Sequence, residues 1–294
     1  MENTSTSNAS FLGPNPVQSY AECLITRPSS IIYTVFIAIE VFLFLPLFIF
    51  ILFFGLQQWR KKRSNSSALS HSDCFTYHLV LMELAGVLGC IITFGGIYGN
   101  GIKFVKAGST LFSFTWYGQG FFHILTCVEH YLAVVHPVTY LMLRQTRGIR
   151  IRNVVVGCVW LLSFSGLGLA VKDNYIIMDS LVIILTTTIT PFCSLSVISA
   201  LTRSGQGEQG TRKERVVQSK QRAFYTIVAV LLVLLLRLAW SVAWIFNTVR
   251  AYSNCVVMTC EVLFNLPSNL VLPLLFLQRA GKLVSWENST EGQG

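Results

Sequence analysis

Seven apolar runs constrain this chain more than any other feature. They fall at roughly 31–55, 75–98, 108–135, 153–171, 179–202, 223–248 and 255–277, each close to the ~20 residues that cross a bilayer as a helix. Hydrophobic residues make up 53% of the 294 positions and charged residues only 12%, against about 25% charged in a soluble domain. A surface of that kind faces lipid. Backbone groups in lipid need partners within the chain, so helices are expected, and the runs lack the short alternation of a membrane barrel. The expected fold is an all-α membrane protein, a seven-transmembrane-helix bundle.

The net charge of +9 sits between the runs. The segments at 56–73, 136–152 and 203–222, with the stretch after 278, hold sixteen of the 22 Lys and Arg residues. Arg27, Lys103, Lys106, Lys172 and Arg250 occupy the opposite side, and Arg237 lies inside a run. Positive loops stay in the cytoplasm, which places the N-terminus outside and the C-terminus inside. The charge is thus a topology signal; the partner it implies is the lipid bilayer, not nucleic acid.

The chain divides into an N-terminal tail at 1–30, a helical domain at 31–277 and a short cytoplasmic tail at 278–294. The first 30 residues lack the basic start and short apolar core of a cleavable leader, so the first helix is expected to target the chain. Asn3 and Asn8 head sequons on the outer side and are expected to carry glycan. Asn65 and Asn288 match the same pattern but fall on the inner side, where they are chance matches. Of eight cysteines, only Cys23, Cys255 and Cys260 lie near the outer face. A bridge from Cys23 to Cys255 or to Cys260, and free thiols throughout, are both open, because spacing does not reveal pairing. Pro46, Pro191 and Pro273 sit inside runs, where each removes a backbone donor and allows a bend.

One segment carries a family pattern: Cys127-Val128-Glu129-His130-Tyr131-Leu132-Ala133-Val134-Val135-His136-Pro137. It resembles the cytoplasmic end of the third helix in rhodopsin-like (class A) G-protein-coupled receptors, which reads acid-Arg-Tyr and then a Pro in the next loop. Glu129, Tyr131 and Pro137 match; His130 stands where the family has Arg. Trp160 matches the single Trp of the fourth helix, and Pro191 the Pro of the fifth. Leu79-Val80-Leu81-Met82-Glu83-Leu84-Ala85 is similar to the second-helix pattern in which an Asp follows an apolar run. Leu272-Pro273-Leu274-Leu275-Phe276 matches the seventh-helix Asn-Pro-x-x-Tyr in its Pro and an aromatic. The resemblance spans about 30–280 and implies an atypical plasma-membrane receptor. It would pass an extracellular ligand's signal to a heterotrimeric G protein and use no cofactor. Glu129, His130, Tyr131, Pro137, Pro273 and Phe276 would be its coupling and switch residues.

The departures bear on mechanism. Glu83 replaces the Asp that helps the family hold a sodium ion, and Gln119 replaces a Ser of that pocket. Leu272 replaces the Asn before the seventh-helix Pro, and the sixth helix lacks its aromatic-x-Pro switch. Val105 stands where the third helix keeps a Cys, and the short outer loop at about 172–178 has no Cys to bond it. Charges inside a bilayer helix cost about 2.5–3.5 kcal/mol each by insertion scales and turn inward. Glu83, Gln119, Arg237 and Ser268 form the expected buried polar core, with Glu40 a further inward charge. Two arrangements are open: Arg237 pairs with Glu83, or each finds separate polar neighbours. His130 has fewer donors than Arg and an unperturbed pKa of ~6.5, so altered coupling is expected.

Phe112 holds the third-helix position where amine receptors keep an Asp, which argues against a biogenic amine. The seventh helix has no Lys for a retinal Schiff base. Phe112, Trp116 and Tyr117 are the candidate ligand-pocket residues, with ordinary packing as the competing reading. No nucleophile motif or metal-ligand spacing appears among His71, His78, His123, His130 and His136, so an enzyme is not expected. Two alternatives remain beside the receptor. One is a receptor-like binding protein with weak or no G-protein signalling. The other is an ion or proton transporter, weakened by the odd helix count and the lack of similarity between halves.

Overall fold

The computed structural model describes residues 22–64, 71–143, 145–171, 175–204 and 255–291, with scattered positions between 228 and 242. Arg237, Asn3 and Asn8 lie outside the described residues. The long described elements are all helical. A first rod joins α1 (Ser29–Ile39), a π turn (Glu40–Phe44) and α2 (Leu45–Ser64). Then follow α3 (His71–Tyr98), α4 (Ile102–Val135), α5 (Pro137–Leu143), α6 (Thr146–Val171), α7 (Tyr175–Ser204) and α8 (Cys255–Glu291).

Among the described residues, four helical stretches are long and apolar enough to cross a membrane: Ser29–Arg60, Asp73–Tyr98, Arg147–Val171 and Ile177–Ala200. They make the chain a multi-pass membrane protein. The 34-residue α4 is not among them. Its Thr115, Gln119, His123 and Thr126 lower its hydropathy, yet all four are buried. Their polarity is turned into protein rather than lipid, because α4 packs against α3, α6 and α7 at the centre of the described helices.

Local chemistry explains several departures from the expected boundaries. Pro46 is preceded by a π turn in which the Leu45 N–H reaches back to the Glu40 carbonyl. A wide turn just before a proline accommodates the ring and the missing donor, and it starts at Glu40, which is 2% exposed. The segment expected as a loop at 136–152 contains α5, with Pro137 as its first residue, where a fixed φ suits a helix and no N–H is needed. The expected tail is helical too, since α8 runs on to Glu291.

The α3–α4 connection is three residues long: Gly99, Asn100 and Gly101. Asn100 takes φ 52°, a left-handed conformation that Asn tolerates better than most side chains. Above this turn the two backbones touch through glycines. A Cβ on Gly108 would meet the Gly89 carbonyl at 2.5 Å, and one on Gly96 would meet the Val105 nitrogen at 2.7 Å. Small residues let helices in lipid approach this closely. Val105, where the family pattern keeps a Cys, is therefore buried against Gly96. Cys23 is disulfide-bonded to Cys255, the first residue of α8, while Cys260 is a free thiol.

Candidate functional site

Polar side chains inside bilayer helices must find one another, and here four helical segments contribute to one chain of hydrogen bonds. Gln119 on α4 is its hub. Its side-chain nitrogen donates to Glu83 Oε1 on α3 at 2.5 Å and to Asn269 Oδ1 on α8 at 2.8 Å. Its oxygen accepts from Asn265 Nδ2 at 3.2 Å. Asn269 Nδ2 in turn donates to Glu40 Oε1 in the π turn at 2.9 Å. The relay therefore runs Glu40, Asn269, Gln119, Glu83, and every member is 3% exposed or less. A primary amide suits the hub position. It presents two N–H groups to two oxygens, one of them carboxyl, and still accepts a bond on its own oxygen. One helical turn along α4, His123 Nε2 lies 3.0 Å from the Ser268 hydroxyl on α8.

The structure brings together three of the four expected core residues: Glu83 and Gln119 in the relay, with Ser268 beside it through His123. Arg237, the fourth, is not described. Glu40, His123, Asn265 and Asn269 belong to the same region. Asn269 lies one turn before Leu272 on the same helix and contributes its amide to the relay. A signal for this existed: Asn265, Ser268 and Asn269 follow i, i+3, i+4 spacing, and Gln119 and His123 follow i, i+4, so each set shares a helix face.

The other expected residues lie elsewhere. Glu129 is buried at the far end of α4, and His130 and Tyr131 are half-buried. The Tyr131 hydroxyl is 3.1 Å from His136 Nε2, and Pro137 opens α5. Pro273 is buried within α8, and Phe276 packs edge-on against Tyr77 with ring centroids 5.3 Å apart. Trp160 donates its indole N–H to His78 Nδ1 at 3.3 Å.

The three pocket candidates separate. Phe112 is edge-on to Phe36 at 5.8 Å, in the cluster that includes Tyr33 and Val262. Tyr117 belongs to the cluster of α3, α4, α6 and α7, with Trp116 packed at its margin. Tyr117 also bonds Asp179, and its ring fills the space that a Cβ on Gly166 would take. These aromatics sit in two packing clusters instead of facing one another. Among the described residues, no group of three or more His, Cys, Asp or Glu side chains is placed to hold a metal ion.

Comparison of the chain with protein-family models and with curated proteins gives no match.

Proposed function

We propose that this protein is an atypical rhodopsin-like G-protein-coupled receptor of the plasma membrane, which transmits an extracellular ligand's binding to a heterotrimeric G protein. The relay from Glu40 through Asn269 and Gln119 to Glu83 is the observation that carries this reading. It links the first rod, α3, α4 and α8 at buried positions, as a receptor needs if a change on one side is to be felt on the other. The order of Glu83, Glu129-His130-Tyr131, Trp160, Pro191 and Pro273 along the chain supports the same reading. Ligand binding would shift the population between two helix packings that hold the relay differently.

His130 favours a second reading, a receptor-like protein that binds ligand and couples weakly. An imidazole cannot reproduce the five fixed donors of a guanidinium. A G-protein dissociation assay in cells, run for basal and ligand-panel activity with the native chain and His130→Arg, separates the two. Dissociation by the native chain supports the receptor. A response from His130→Arg alone supports the weakly coupled form. Silence from both, at normal surface expression, contradicts the proposal.

A further inference from the structure

The short helix α5 presents an apolar face to the outside. Val138, Leu141 and Met142 are 71%, 61% and 62% exposed, and their i, i+3, i+4 spacing places them on one side. The opposite side carries the half-buried Tyr140 and Leu143. Two contacts fix how the helix sits. Just before it, His136 Nε2 meets the Tyr131 hydroxyl at 3.1 Å. At its end, the Leu143 carbonyl meets His71 Nε2 at 2.9 Å. The apolar face is thus held outward by the bundle.

The surface next to it changes character along one stripe of α6. Arg147 and Arg150 are exposed, and Ile151 and Val154, one and two turns beyond Arg147, are 48% and 60% exposed. Leu161 continues the apolar surface at 69%. A stripe that passes from arginine to exposed aliphatic side chains marks the level where headgroups give way to acyl chains. α5 packs against α6 and precedes its basic first turns in sequence, on the side that the basic loops assign to the cytoplasm.

We infer that α5 lies on the cytoplasmic leaflet, with Val138, Leu141 and Met142 entering the headgroup–acyl boundary and Arg147 and Arg150 drawing it to anionic lipid. An apolar helix face beside basic residues is the pattern of interfacial membrane binding, and cytoplasmic leaflets carry the negative lipid that attracts arginine. This inference does not depend on G-protein coupling.

The test uses the full chain in lipid nanodiscs, with an environment-sensitive fluorescent amino acid at position 141 or, as a control, at 139. Spin-labelled lipids should quench the probe at 141 at least about twofold more than at 139, and more strongly when phosphatidylserine is present. Native Met142 gives a second readout that leaves the apolar face unchanged. A water-soluble oxidant should convert it to sulfoxide more slowly in phosphatidylserine nanodiscs than in zwitterionic ones, and Arg147→Ser with Arg150→Ser should erase that difference. Equal quenching at 141 and 139 together with equal Met142 oxidation in both lipids overturns the inference. So does shielding of position 141 that appears only when heterotrimeric G protein is added, which would make the face a protein-docking surface.

Discussion

Gln119 shows how much one side chain can organise in a bilayer. Its amide makes three hydrogen bonds, to Glu83, Asn269 and Asn265. Side-chain hydrogen bonds between membrane helices average about 0.6 kcal/mol each, because the alternative states in lipid find partners too. Gln119→Ala is therefore expected to cost about 2 kcal/mol of stability, read as a lower unfolding temperature of the purified chain and reduced expression. Part of this site was legible in sequence, since a Glu or Gln in an apolar run has few options but to face inward. Glu83 and Gln119 stood out for that reason. Asn265 and Asn269 did not, because the motif position for the amide is 272. Helical spacing, which carries the physics, pointed to 269.

At the scale of the element, packing distance decides more than composition. Gly108 sits where a Cβ would meet the Gly89 carbonyl and the Thr93 side chain, all within the α3–α4 contact. Gly108→Val must push the two helices apart and should cost about 1–3 kcal/mol. Gly157 has nothing within 4 Å of its would-be Cβ, so Gly157→Ala should be neutral or gain up to about 1 kcal/mol through helix propensity. Thermal unfolding of the two variants side by side checks this contrast. The same measurement separates the cysteines. Cys255→Ser opens the bridge to Cys23 and should lower stability by about 2 kcal/mol or more, whereas Cys260→Ser removes only a free thiol. Spacing left both partners of Cys23 open, and only the fold distinguishes them. Sequence anticipated α3, α6 and α7 well, because long apolar runs require helices. It treated α5 as loop, since seven residues give too short a periodicity to read.

At the scale of the whole molecule, four helices among the described residues carry enough apolar length to span a membrane on their own terms. α4 lies at their centre with Thr115, Gln119, His123 and Thr126 buried, which explains why hydropathy reads it differently from its neighbours. A polar helix becomes tolerable in lipid when other helices surround it, and the relay is what that enclosure makes room for. The relay acts as one unit across helices. The most direct test is a double-mutant cycle between Gln119→Ala and Asn269→Ala, with unfolding free energies measured in lipid bicelles. If the relay is continuous, the two effects are non-additive, with a coupling of about 0.6–1.7 kcal/mol. Additivity within about 0.3–0.5 kcal/mol would mean that the two residues act independently, and would contradict it.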